Sequence, residues 1–393
     1  MSPGIQLAPG CTIPARYLTR HVGIFGATGT GKTTTAAAIV ERAPCPVLVL
    51  DAKGDLESLG RVYRPWDAQL HLSHLGPDLV ARALDLSEPQ AGALQVAFAW
   101  ADDQGRPVAS LGDLRALLGD VVARADDLST AYGLVSPSSV AAVQRALLRL
   151  ERAAPWAFGP ASVDWRDVQG VAVLALGTVA GIPGLYGATV AHILDSVYRG
   201  LGELGDVAAP GLLVMIDESH LVFDGAPVAI VRRIEQVTRL IRSKGVGLIY
   251  VTQSPADLPD AIAGQLVTRI QHGLRAATAR QQKGLRAAAE TMPGNVTAQD
   301  VMQLGTGQAI VSVPDARGVP QPGRVVDVQR GRVQLVAVAT VAPPIFPAAA
   351  RFLCQAEPAA VAAAPPRPWP WWKPAAVVGV LAYGATVLLS HLP

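Results

Sequence analysis

The stretch Gly23–Val40 reads GIFGATGTGKTTTAAAIV. It starts inside a short apolar run of strand character, Val22–Phe25, and ends in an alanine-rich run that favours helix. Between the two, Gly26-Ala27-Thr28-Gly29-Thr30-Gly31-Lys32-Thr33 matches G-x-x-x-x-G-K-[ST], in the strand–loop–helix setting that gives this pattern its meaning. The glycines let the backbone wrap a phosphate chain, and the N–H groups at the helix start, as far as Thr34, face the β-phosphate. Lys32 is expected on the β- and γ-phosphates and the Thr33 hydroxyl on Mg²⁺. By itself the stretch suits ATP or GTP and says nothing about cargo.

Working outward, apolar runs at Val47–Leu50, Val171–Leu176, Leu212–Ile216 and Gly247–Val251 look like strands buried on both faces. Helical patterns alternate with most of them, which predicts an α/β fold around a central, mostly parallel sheet. From about residue 76 to 160 the pattern turns helical, as in SSVAAVQRALLRLERA, and is expected to form a helical insertion in the sheet domain.

A phosphate loop also needs a carboxylate for the metal and a base for water. LLVMIDESH ends an apolar strand with both: Asp217 would hold the Mg²⁺ shell and Glu218 would polarise the attacking water. The bland alternative, an acidic pair that caps the next helix, loses ground beside a phosphate loop. VLVLDAKGDLESL ends another strand with Asp51, Lys53 and Asp55. The chain has five lysines, two of them Lys32 and Lys53, and Lys53 falls at a strand's carboxyl end, where sheet ligands bind. Its alternative is a polar turn with an Asp51–Lys53 surface pair.

IYVTQSPADLP places Thr252 and Gln253 at the end of the last expected core strand, suited to sense a γ-phosphate. VRRIEQVTRLIRSKG is amphipathic, with Ile234, Val237 and Ile241 among its apolar positions and five basic residues, including Arg239 and Arg242, against one acid. Arg269 to Arg286 adds five basic residues and no acid. Arg239 has Glu235 at i−4 as a helical partner. The other cations suit either an arginine finger or a phosphate backbone.

The net charge of +2 exerts no global pull on nucleic acid, so a basic binding surface must be local. Cys11, Cys45 and Cys354 are far apart in sequence and form no CxxC pair, which argues against a zinc site or a disulfide framework. No secretory leader is expected at the N-terminus. The expected organisation is an ATPase domain over 1–341, a Pro/Ala-rich linker over 342–374 and a transmembrane anchor over 375–392. Ala375–Leu392 contains no Asp, Glu, Lys or Arg. As a helix it would span about 27 Å, near a hydrocarbon core of roughly 30 Å. Trp369, Trp371 and Trp372 would sit at the interface, with Arg367 and Lys373 facing inward. That predicts a single-pass inner-membrane protein with its catalytic domain on the cytoplasmic side. A hydrophobic terminal helix packed on protein is the alternative.

GATGTGKT, DAKGDL, IDESHLVFDGAP, the run from Ile234 to Ala276 and QQKGLRAAAETM, in this order, resemble bacterial HerA-like helicases of the HerA/FtsK superfamily of ring-shaped motors. The resemblance covers roughly residues 20 to 328. It implies a RecA-like core, ATP and Mg²⁺ as cofactors, homo-hexamers with ATP sites between subunits, and translocation of double-stranded DNA. It also implies that Gln253 is the sensor and that Arg242 is the finger, with Arg269 second. The chain departs from archaeal members in having only about twenty residues before the first strand, and the apolar tail is outside the family pattern. Two rivals share the ATPase residues or part of them: a motor for protein secretion, conjugation or phage packaging and assembly, and a nucleotide-gated membrane scaffold. A partner nuclease is not legible.

Overall fold

The computed structural model describes residues 4–160, 163–182 and 184–331. It begins with an antiparallel hairpin of β1 (Gly4–Ala8) and β2 (Cys11–Pro14). Next come β3 (Val22–Phe25), α1 (Lys32–Glu41), β4 (Val47–Asp51) and β5 (Arg61–Tyr63). A helical stretch follows: α2 (Leu72–Ala83), α3 (Glu88–Asp103), α4 (Leu111–Ala123), α5 (Ala125–Tyr132) and α6 (Pro137–Ala153). The chain then returns to the sheet through β6 (Val171–Ala175), α7 (Gly177–Ala180), α8 (Leu185–Gly200) and β7 (Leu212–Ile216). After these come α9 (His220–Phe223), α10 (Val228–Leu240), β8 (Val246–Thr252), α11 (Asp260–Ala263) and β9 (Thr268–His272). The last described elements are α12 (Ala279–Thr291), α13 (Ala298–Gln303), β10 (Gln308–Ser312) and β11 (Arg324–Asp327).

Strands β3 to β11 form one sheet in the order β11-β10-β9-β3-β8-β7-β4-β6-β5. From β9 to β5 every pairing is parallel, and β10 and β11 add an antiparallel edge. The register aligns Phe25 with Thr252, Ile216 with Tyr250, and Leu50 with Ile216. The carboxyl ends of β3, β8, β7 and β4 therefore open along one edge, where ligands of a parallel sheet bind. One strand, β8, separates the phosphate loop's strand from the one that leads into Asp217.

The central strands are apolar throughout because both sheet faces are covered: Ile24, Val49, Met215, Ile249 and Ile270 are fully buried in one core. In the helical stretch Leu94, Leu114, Leu117, Leu118, Val143 and Leu147 are buried, and α2 packs against α8 of the sheet layer. Gly76 takes φ 76° inside α2 and breaks it into two pieces just before Pro77.

All five strands read from apolar runs are present. Among the strands that were not anticipated, β9 lacks such a run. Thr268–His272 spells TRIQH, with Gln271 and His272 buried by their surroundings rather than by their own chemistry.

The chain divides into residues 1–345 and 346–393. The expected linker and the Ala375–Leu392 anchor lie outside the described residues, among which no helix is long and apolar enough to cross a membrane. Cys11 and Cys45 are free thiols.

Candidate nucleotide site

The loop between β3 and α1 is tied down at its base and open at its tip. Gly26 N–H donates to Gln253 O at 3.0 Å and Ala27 N–H to Gly273 O at 2.9 Å; Thr30 O accepts from Gly307 N–H at 2.9 Å. Thr30 Oγ1 donates to Ala27 O at 2.7 Å, while Thr28 and Gly29 stand exposed at the tip. Among the described residues nothing accepts from the amides of Gly29, Gly31, Lys32 and Thr33. A row of free donors at a helix N-terminus is the chemistry a phosphate chain requires. Two glycines are obligatory for steric reasons. Gly26 has φ 150°, and a Cβ there would lie 2.5 Å from His272 Cβ; Gly31 caps α1 with φ 115°.

Lys32 Nζ donates to Gly26 O at 2.6 Å and Ala27 O at 3.2 Å. Burial lowers its pKa, against the pull of Glu218. Thr33 follows it in the first turn of α1, partly exposed, with Thr34 next. Thr35, one position on, is buried and bonds the imidazole of His272 at 2.9 Å. His272 Nδ1 lies 2.8 Å from Gln308 O, so Nδ1 carries the proton and Nε2 accepts from the Thr35 hydroxyl. Burial pushes the pKa of His272 down to about 4, which keeps it neutral as a pillar behind the loop. Nothing in its sequence context, a polar residue between Gln271 and Gly273, signals this role.

Asp217 and Glu218 follow β7. Asp217 N–H donates to Leu50 O at 3.0 Å, and its carbonyl accepts from buried Tyr186 Oη at 2.8 Å. Burial, with the charges of Glu218 and Asp51, raises the Asp217 pKa to about 7. A site that holds a carboxylate this far from water fits a divalent cation, which restores the charged form. Glu218 sits in left-handed backbone, φ 44°, a conformation non-glycine residues seldom adopt and one found at functional turns. Its Oε1 is paired with Lys53 Nζ, and His220 Nδ1 stands 3.1 Å from Oε2, off the line of a good hydrogen bond. Burial would raise the Glu218 pKa, but His220 and Lys53 outweigh it and bring it down to about 2.

Lys53 thus belongs to the site and not to a surface pair. Asp51 does not hold its ammonium; the Asp51 carboxylate accepts the backbone N–H groups of Lys53, Gly54 and Leu56 at 3.0, 2.8 and 2.9 Å and shapes the turn. Gln253 is exposed, its backbone joined to Gly26. It faces a cavity of about 700 Å³ together with Ala27, His220, Arg275, Arg280 and Lys283. Thr252, buried at the end of β8, lies 3.4 Å from His220 Nδ1 and 3.3 Å from Asp257 Oδ2.

Lys32, Thr33, Asp217, Glu218 and Gln253 therefore gather at one edge. Arg242 does not join them. It precedes β8, at the amino end of the strands, and pairs with Asp206. Arg269 donates to the carbonyls of Leu266, Thr291 and Ala263, so its guanidinium clamps β9 to its neighbours and is not free to serve as a finger. Among the described residues no ion pair joins Arg239 to Glu235; Arg233 pairs with Asp195.

The Helicase HerA-like C-terminal family model matches residues 7–71 and 67–344. The chain belongs to this family. Its members are P-loop ATPases, and the mostly parallel central sheet above fits such a core. Among curated proteins none matches the sequence. Among solved structures, the bacterial conjugative coupling protein TrwBΔN70 in its unbound form is similar at TM-score 0.60 and 15 % identity, covering 86 % of this chain and 91 % of that one. VirB4 of Thermoanaerobacter pseudethanolicus is similar at TM-score 0.59 and 14 % identity, covering 85 % and 98 %. TrwB in complex with a non-hydrolysable ATP analogue aligns at TM-score 0.55 and 13 % identity, covering 86 % and 92 %. At these identities the likeness is one of fold, and function rests on the site.

Proposed function

We propose that the protein is a ring-forming, Mg²⁺-dependent ATP hydrolase that moves double-stranded DNA, tethered to the inner membrane by Ala375–Leu392 with its catalytic domain in the cytoplasm. The observation that carries the reading is the convergence of Lys32, Asp217, Glu218 and Gln253 beside a cavity that Arg275, Arg280 and Lys283 also line. The loop amides and Lys32 bind the phosphates. Thr33 and Asp217 are the residues that would hold Mg²⁺, which would supply positive charge against the phosphates. Glu218 orients water and takes its proton. Gln253, joined to the loop by its backbone, reports the γ-phosphate to β8.

Cargo is supported by position. Arg275, Arg280, Lys283 and Arg286 are exposed and form no ion pair among the described residues, so they are available to a phosphate backbone. The coupling function stated for TrwB is consistent with DNA as cargo. Arg242, remote from its own loop, would act on a neighbour's nucleotide in a homo-hexamer.

The test is ATP hydrolysis by the full chain with and without duplex DNA at low salt. The reading expects stimulation that fades as salt rises. A rate indifferent to DNA, or one raised by an unfolded polypeptide instead, removes DNA from the proposal and favours a protein-secretion motor. Negligible turnover with intact nucleotide binding favours a nucleotide-gated scaffold.

A further inference from the structure

We infer that Lys53 is a catch that holds Glu218 away from the attacking water, and that the γ-phosphate of bound nucleotide draws the catch off. The inference rests on the ATPase reading above and adds a positioning residue to it. Lys53 leaves the carboxyl end of β4, the strand beside β7, and its ammonium pairs with Glu218 Oε1 while His220 stands over Oε2. The Glu218 side chain is only 5 % exposed. In this arrangement the Lys53 ammonium holds one carboxylate oxygen, and the other is buried beside His220 with no hydrogen-bond partner among the described residues.

The partner, unlike the glutamate, is free to move. The Lys53 side chain is 44 % exposed and carries its charge on a flexible four-carbon stem. Its backbone is not free, because Asp51 accepts the N–H groups of Lys53, Gly54 and Leu56. Any swing is therefore confined to the side chain. Lys53 and Lys32 lie in one another's field, and each ends on an internal acceptor: Lys32 on the carbonyls of Gly26 and Ala27, Lys53 on Glu218. A polyphosphate seated on the loop offers both ammoniums more negative charge than those acceptors do. Transfer of Lys53 to the phosphate frees Glu218 in the same event that delivers its substrate, so the base is withheld while the site has nothing to hydrolyse.

Steady-state ATP hydrolysis by the full chain, compared with Lys53→Met and Lys53→Arg, tests the catch. Removing the ammonium should raise kcat without DNA, by on the order of threefold to tenfold out of the 10²–10⁴ that a positioned base contributes, with little change in KM. Lys53→Arg keeps a cation that pairs with a carboxylate and should bring the rate back toward the starting value. A purely structural lysine would lower kcat on removal, and a lysine that only binds phosphate would raise KM while kcat falls. Either result, or an unchanged kcat, overturns the catch. Should Lys53→Met melt early, Lys53→Gln gives the same comparison. Absence of turnover in the unaltered protein removes the ATPase reading and the catch with it, whereas turnover there with no rise in the variant removes the catch alone.

Discussion

Asp217 and Glu218 are adjacent, yet their surroundings drive their proton affinities apart: one pKa rises to about 7, the other falls to about 2. Such divergence marks groups with different tasks. Since the Asp217 carboxyl must lose its proton to hold a cation, Mg²⁺ affinity should climb about tenfold per pH unit up to about pH 7 and level off above it, as titration calorimetry would register. The sign for stability is opposite. The ordinary value is 3.8 and the folded value about 7, so the folded chain holds this proton more tightly and stability falls as pH rises through that interval. Asp217→Asn should therefore raise the melting free energy at pH 8, by about 1 kcal/mol, while removing Mg²⁺-dependent hydrolysis. A lower melting point for that variant would contradict the burial argument. For the chemistry itself, Lys32→Ala should cut turnover about a hundredfold or more, and Glu218→Gln should keep ATP bound but unhydrolysed, both read from single-turnover assays.

At the scale of elements, the site depends on how strands end. Asp51 closes β4 by accepting three turn amides, and without its carboxylate those buried donors lose their partner. Asp51→Ala should cost about 2 kcal/mol in chemical denaturation. The loop after β3 is limited from behind, where His272 of β9 occupies the space a Cβ at Gly26 would need. Gly26→Ala should abolish nucleotide binding, measured by fluorescent-analogue titration, and no rotamer change can relieve a 2.5 Å contact with another residue's Cβ. These end-of-strand details were only half legible. The β3 loop, the Asp217–Glu218 pair and the Thr252–Gln253 end announce themselves because each follows an apolar run. The pairing of Lys53 with Glu218 across 165 positions, and the pillar of His272 behind the loop, depend on strand order, which local pattern does not encode.

On the scale of the whole molecule, Arg242 lies at the opposite end of the strands from the phosphate loop of its own chain. If it acts on a neighbour, Arg242→Ala should leave ATP affinity nearly unchanged and depress turnover under assembling concentrations, and mixing with Lys32→Ala protein should restore part of the rate. A loss of affinity in the isolated variant would point to a folding defect through Asp206 instead. Charge reversal at Arg275, Arg280 and Arg286 together should flatten the salt dependence of DNA binding by up to about three units of slope.

By itself the sequence determined the fold class and the residues that gather at the candidate nucleotide site. An apolar run buried on both faces, a glycine loop and an acidic pair are local requirements, and each is written where it acts. Tertiary structure alone decided which charges meet. Lys53 and Glu218 are brought together because β4 and β7 are neighbours in the sheet, while Arg242 is carried away because the turn that follows α10 enters β8 from the far end. A long charged side chain can satisfy itself with many partners, so only the packing that limits its reach selects one.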